Sequence, residues 1–320
     1  MIRRRALGIT GVAAVAVGLT LCAAVVYPLA ALVDLVRLRR RLPLTRLLAF
    51  AWCWSWLELA GVAASAALWL TGRSGDPLPS YRLQAWWADR LMGALRVTCG
   101  LDPRIEGADQ LRPGPVVLLV RHASLADSLL TVWAVTTVGL RPRVVMKKEL
   151  LVDPCLDIVG NRLPNCFVDR GAADSAPELA AIAAMAGGMG AEDAAVIFPE
   201  GTRANDDKRA RALDRIAQGD GDRAARLAGL THLLPPRTSG ARAILGAAPD
   251  ADVVVGWHVG FEGLDDFGGI LDALGGPRRD VRLQFHRVAR SEVPEGDGFT
   301  EWLDGQWLRL DAEVERATAG

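Results

Sequence analysis

The sequence predicts an α/β domain preceded by two N-terminal membrane helices, and three features predict it. Two long apolar runs open the chain, Leu7 to Val33 and Leu47 to Leu70, each at or above the roughly 20 residues a helix needs to cross a bilayer. A Gly-, Pro- and Ser-rich stretch from Gly72 to Ser80 then marks a linker. Beyond it, short β-branched runs alternate with Ala- and Leu-rich stretches, the pattern of strands between helices. The expected division is 1–72 for the membrane-anchoring helices and 73–320 for the α/β domain.

The first apolar run follows Arg3-Arg4-Arg5 in the manner of a signal peptide. It is too long for the apolar core of one, and a second run follows, so it reads as an uncleaved anchor. The second run carries Glu58 and has Trp52, Trp54 and Trp56 near one end. Indoles favour the headgroup level, which lets this helix lie partly in the interface. Between the runs sits a basic connector of Arg37, Arg39, Arg40, Arg41 and Arg46. The strands expected are Val116–Val120, Val144–Met146, Cys166–Val168, Val196–Phe198, Val253–Trp257 and Val281–Phe285. The segment Asp206–Gly229 mixes charges of both signs at helical spacing and reads as a solvated helical face.

Composition narrows the function. An apolar fraction of 51% in 320 residues, with positive mean hydropathy, says that part of the chain meets lipid. Net charge is zero and the arginines beyond the N-terminal region are dispersed, so nothing suggests nucleic acid. The five cysteines are odd in number and form no CxxC pair, which argues against a disulfide framework or a metal site. They read as reduced, buried and inert, in a reducing compartment such as the cytoplasm. A GxSxG elbow, a P-loop, HExxH and a post-strand GxGxxG are all absent.

Two clusters remain that carry chemistry. Arg121-His122-Ala123-Ser124-Leu125-Ala126-Asp127 follows the strand Val116–Val120. Helical positions five apart lie about 140° apart, so His122 and Asp127 do not share a face of one straight helix. His122 therefore precedes the helix. With Ser124 as N-cap and the helix starting at Leu125, Asp127 falls in the first turn, where its carboxylate turns back toward the imidazole. Ser-x-x-Asp is equally a capping box, in which Asp127 satisfies backbone N–H groups. The second cluster is Phe198-Pro199-Glu200-Gly201-Thr202-Arg203, at the end of another apolar strand. Glycine permits close backbone approach, threonine supplies a hydroxyl and arginine a planar fork suited to phosphate.

RHASLAD followed about 75 residues later by FPEGTR resembles the glycerolipid acyltransferases of the lysophosphatidic acid acyltransferase type. Between them Lys148-Glu149-Leu150, Pro154 and Phe167-Val168-Asp169-Arg170 resemble the family's intermediate motifs, in order. Leu233-Leu234-Pro235-Pro236-Arg237-Thr238-Ser239-Gly240 is similar to a motif of the lysocardiolipin acyltransferase-like branch. The resemblance spans roughly Arg121 to Gly240. It implies a glycerol-phosphate acyltransferase-like fold, a mixed central sheet flanked by helices. It also implies direct acyl transfer to the free hydroxyl of 1-acyl-sn-glycerol-3-phosphate, giving phosphatidic acid. His122 is then the general base and Asp127 its orienter. Arg203, Arg170 and Lys148 hold the acceptor phosphate, Glu200, Gly201 and Thr202 shape its pocket, and Arg237 is a further phosphate or donor contact. Backbone N–H groups at the helix start after Ser124 are expected to stabilise the oxyanion.

No cofactor is implied; acyl-CoA or acyl carrier protein is the co-substrate. The expected partners are membrane lipids, a lysophospholipid acceptor and an acyl-thioester donor. A cytoplasmic donor and a basic connector that stays cytoplasmic favour a hairpin dipping into one leaflet, or one span plus one interfacial helix, with the catalytic domain on the cytoplasmic face. Three departures from the family pattern stand out: Arg121 where asparagine is usual, and Asp157 and Pro164 where glycines are. The alternatives are an acyltransferase for another lysophospholipid and a non-catalytic lipid-binding relative.

Overall fold

The computed structural model describes residues 2–169, 175–264, 267–277 and 279–319. Arg170, expected at the phosphate, lies outside them. From the N-terminus the chain forms α1 (Ile2–Leu21), α2 (Ala23–Val36), α3 (Pro43–Leu70) and α4 (Pro77–Ala94), then β1 (Arg104–Glu106), β2 (Val116–Val120), α5 (Asp127–Thr137) and β3 (Arg141–Lys147). Next come α6 (Pro154–Val159), β4 (Cys166–Val168), α7 (Ala176–Ala186), β5 (Asp193–Ile197), α8 (Asp206–Ala217), α9 (Gly221–Leu227) and α10 (Ser239–Ala247). The chain closes with β6 (Asp252–Val259), α11 (Phe267–Gly275), β7 (Arg282–Val288) and α12 (Gly298–Ala319). Two compact units result. The first comprises residues 1–102, 147–165 and 266–280, the second residues 103–146, 166–265 and 281–320.

The first unit is helical. Its first apolar run is two helices, broken at Cys22, which is exposed and not buried as the sequence suggested. Helix α3 is 28 residues long, about 42 Å at 1.5 Å per residue. Its small and polar residues Ser55, Glu58, Gly61 and Ser65 are buried on one face, while Trp56, Trp69 and Leu70 are exposed. Glu58 therefore faces protein: its carboxylate accepts from Trp87 Nε1 (2.9 Å) on α4 and from Cys155 N (3.2 Å) on α6. The indoles of Trp52 and Trp56 donate to Thr20 Oγ1 of α1 at 2.9 and 3.2 Å, so two of the three tryptophans lock α1 to α3. Asp34, 2% exposed, accepts from Leu44 N and Thr45 N, capping α3 from α2 and closing the pair into a hairpin.

The basic connector is largely spent on helix ends. Arg39 pairs with Asp272 at 2.8 Å and Arg41 donates to Gly276 O at 2.6 Å. Arg46 donates to Thr98 O, Cys99 O and Leu274 O. Guanidinium groups at the carbonyl ends of helices complement the helix dipole. Arg4 and Arg5 are likewise committed, both to the fully buried Asp157 of α6, with closest carboxylate contacts of 2.8 and 3.3 Å. Burial pushes the Asp157 carboxyl up, but the two guanidinium groups outweigh it and hold it below the usual range. Asp157 thus ties down the N-terminus of α1.

The second unit is built on a seven-stranded mixed sheet in the order β1-β7-β6-β2-β5-β3-β4. β2 runs parallel to both β5 and β6, β3 parallel to β5, and β7 antiparallel to β6. Strands β2 and β5 are buried throughout, β2 as an uninterrupted apolar run and β5 with Asp193 at its start. The core joins Val117, Leu119, Val253 and Val255 of the sheet to Ile182, Ile244 and Trp307 of α7, α10 and α12. The amphipathic helix α8 buries no residue, as its charges predict. Other elements also depart from expectation, among them β5, which spans Asp193–Ile197 where Val196–Phe198 was expected. Helix α4 starts at Pro77 with Asp76 as its cap, shortening the linker. Helix α5 starts at Asp127, two residues later than expected. The short polar strand β1 has no apolar run to announce it.

Candidate active site

The carboxyl ends of β2 and β5, adjacent and parallel, bring the two sequence clusters together, the usual place for sites in open α/β sheets. The chain leaves β2 at Val120 and turns through residues 121–126 before α5. That turn is organised by Asp127, which is fully buried. Its Oδ2 accepts from Ala123 N (2.6 Å), Ser124 N (2.8 Å) and lies 2.8 Å from Nδ1 of His122. Its Oδ1 accepts from Ser124 Oγ. The orienting contact and the capping contact thus coexist on one carboxylate. Burial alone raises a carboxyl, but the histidines around Asp127 outweigh it and hold it below the usual range.

The amide groups of the turn are committed internally. Besides Ala123 N and Ser124 N, Leu125 N donates to Leu264 O at 3.2 Å and Ala126 N to Ser124 Oγ at 3.1 Å. The amides of residues 123–126 are therefore engaged within the protein. They are consumed because Asp127 folds the turn around itself, which also delays the start of α5.

Glu200 joins the clusters. It is 3% exposed, and its carboxylate accepts from His122 N (2.8 Å) through Oε1 and from Leu234 N (2.9 Å) through Oε2. Burial pushes its carboxyl up to about 8, against the lowering effect of the two amides and Arg121. Ala204 N donates to His122 O at 3.0 Å, so residues 200–204 grip His122 by both backbone groups. The Phe198 ring lies 4.9 Å from the imidazole, centre to centre. Both Glu200 oxygens are engaged by backbone N–H groups, which makes it a brace within the site.

Gly201 has φ +67° and a Cβ there would lie 3.4 Å from Arg237 Nε, so glycine serves both the turn and the arginine above it. Arg237 N donates to Pro199 O at 2.9 Å, pairing the 198–204 turn with the 233–240 segment. That segment is hung from α12: Asp311 accepts from the amides of Thr231, His232 and Leu233, and Asp304 holds Arg223, which donates to Pro236 O. Thr202 and Arg203 are half-buried beside this turn and Arg237 is exposed. Lys148 is exposed and belongs to the first unit.

One neighbour escaped sequence reasoning. His258 of β6 is 2% exposed, and its Nε2 stands 3.0 Å from Asp127 Oδ1. In the sequence it looks like one more core position of the run Val253–Val259. Its signal was the lone polar residue in that run.

Residues 102–255 match the family model described as Acyltransferase. Among solved structures, the chain resembles the crystal structure of the 1-acyl-sn-glycerophosphate (LPA) acyltransferase, PlsC, from Thermotoga maritima. The TM-score is 0.51 at 16% identity, covering 82% of this chain and 95% of that one. No curated protein matches. Residues 102–255 thus carry the match to the Acyltransferase model, and the Thermotoga structure shares the fold.

Proposed function

We propose that the protein transfers a fatty acyl group from acyl-CoA, or acyl carrier protein, to the free hydroxyl of 1-acyl-sn-glycerol-3-phosphate, giving phosphatidic acid on the cytoplasmic face of a membrane. The reading is carried by the His122–Asp127 contact of 2.8 Å. With Nδ1 held by the carboxylate, Nε2 is the nitrogen left to take a proton. The acceptor oxygen loses its proton to Nε2 as it attacks the thioester carbonyl. The tetrahedral intermediate then expels the thiolate, which takes that proton from His122. The buried carboxylate of Asp127 stabilises the imidazolium between the two steps. No acyl-enzyme is needed, and no serine or cysteine stands in a nucleophile setting.

Arg203 and Arg237 bind the acceptor phosphate beside Gly201 and Thr202, and the motif resemblance gives Lys148 and Arg170 a phosphate-binding role as well. Glu200 acts by holding His122 in place and is not a ligand. The similarity of residues 233–240 favours the lysocardiolipin acyltransferase-like branch, and the activity named for the Thermotoga protein favours lysophosphatidate as acceptor. The functional division is 1–72 for anchoring and 73–320 for transfer. Incubating membranes that carry the protein with labelled acyl-CoA and a panel of lysolipids tests the reading. Label is expected mainly in phosphatidic acid. Label confined to another phospholipid moves the acceptor assignment, and label in none refutes the activity.

A further inference from the structure

The carboxylate of Asp127 has a second imidazole on its far side, and the proposed chemistry has not used it. His258 is the penultimate residue of β6, which lies beside β2 in the sheet, with Val120 opposite Gly256. The donors to Asp127 described so far, His122, Ala123 and Ser124, all come from its own turn. Among the described residues, His258 Nε2, 3.0 Å from Oδ1, is the contact that reaches this carboxylate from another element. The contact is close but falls short of hydrogen-bond geometry, and Nδ1 has no hydrogen-bond partner among the described residues.

A buried imidazole with an unsatisfied nitrogen costs stability, which valine or leucine at this core position avoids. The compensating gain is available only at Asp127, a fully buried anion. The other charged or titratable groups around the pair are few. Arg121, at the exit of β2, donates to His258 O at 2.5 Å and pairs with Glu262 at 3.2 Å. Glu262, in the turn after β6, also accepts from Gly260 N. His122 lies across the carboxylate, and Glu200, after β5, is bonded to backbone amides.

We propose that His258 is a positioning residue that shares the Asp127 carboxylate with His122 and so limits how strongly that carboxylate stabilises a proton on the outer imidazole. Its kinetic consequence rests on the acyltransferase reading above; the sharing itself does not. An imidazole N–H facing Oδ1 at 3.0 Å draws charge away from Oδ2 through its electrostatic pull. Removing that donor leaves the carboxylate more negative toward His122, which favours the protonated imidazole and hinders the base.

The test uses the full-length protein in nanodiscs. In His258→Leu the acid limb of the pH profile of kcat/KM is expected to move up by roughly half to one pH unit. His258→Gln, whose amide N–H reaches toward the same oxygen, is expected to bring it back. The ring resonances of His122, followed by NMR without substrate, are expected to show the same displacement. An acid limb and ring resonances that stay put in folded His258→Leu overturn the proposal, whatever happens to the rate. If His258→Leu does not fold, nitrogen spectra of the wild-type histidines decide: a proton on His258 Nε2 supports the sharing, and a bare Nε2 overturns it. Should wild type and variants all fail to transfer acyl groups while the ring displacement is present, the acyltransferase reading falls and the positioning role stands.

Discussion

At His122 the side chain is held from two directions, by the Asp127 carboxylate on the ring and by residues 200–204 on the backbone. His122→Ala removes the ring and leaves the backbone grip. Turnover should fall by about 10²–10⁴-fold, with the unfolding temperature nearly unchanged in a thermal scan. Asp127→Asn differs, because the carboxylate also accepts from Ala123 N, Ser124 N and Ser124 Oγ. An amide cannot accept at both ends, so stability and turnover should fall together. Glu200→Gln meets the same difficulty with the amides of His122 and Leu234, and about 1–3 kcal/mol of stability should be lost. Glu200 also gives a pH signature. Its folded carboxyl titrates near 8, so between the ordinary carboxylate range and that value the native state holds a proton that the unfolded state releases. This group therefore lowers stability as pH rises through that window. Thermal melts from pH 5 to 8 should show a shallower decline in Glu200→Gln than in wild type. Arg203→Lys retains charge but loses the planar fork, and the KM for a phosphate-bearing acceptor should rise with kcat little changed.

At the scale of elements, the same economy explains what was legible in the sequence and what was not. The bounds of β2 and β4 coincide with their apolar runs, and for β2 the reason is plain: a strand buried on both faces writes itself as a continuous apolar stretch. β1 was illegible: three residues of Arg-Ile-Glu contain no pattern. The break at Cys22 was hidden because both sides of it are apolar. The start of α5 was misplaced by two residues because Ser124 and Asp127 are spent on the turn, a competition between local side-chain bonds and helix that spacing alone does not reveal. The pairing of His122 with Asp127 was readable from local sequence. The brace by Glu200 and the approach of His258 were not, since both depend on which strands the sheet sets side by side. In the helical unit, Glu58 tested the reading of α3 as lipid-facing and showed a helix with one protein-facing side. Glu58→Ala leaves Trp87 Nε1 and Cys155 N without their acceptor, and about 1–3 kcal/mol of stability per donor should be lost in denaturant titrations of the detergent-solubilised protein.

At the scale of the whole molecule, two helices among the described residues, Ile2–Leu21 and Pro43–Leu70, are long and apolar enough to cross a membrane. Their outward faces carry exposed Leu7, Val15, Val17 and Trp69, which suggests membrane association. The protein should stay with membranes through an alkaline carbonate wash; appearance in the supernatant would mean that these helices are not embedded. A cysteine placed at Arg40, in a chain otherwise free of cysteine, should be labelled from the cytoplasmic side by an impermeant reagent. Labelling from the other side would favour two conventional spans over a same-side hairpin. The central claim is that His122, held by Asp127, activates the acceptor hydroxyl for direct transfer, and one measurement addresses it most directly. Purified full-length protein in nanodiscs is given palmitoyl-CoA and 1-acyl-sn-glycerol-3-phosphate, and free CoA thiol and phosphatidic acid are followed together. Wild type should form the two in equal amounts, and His122→Ala, equally folded, should form almost neither. Equal rates in the two proteins, or thiol release without phosphatidic acid, would contradict it.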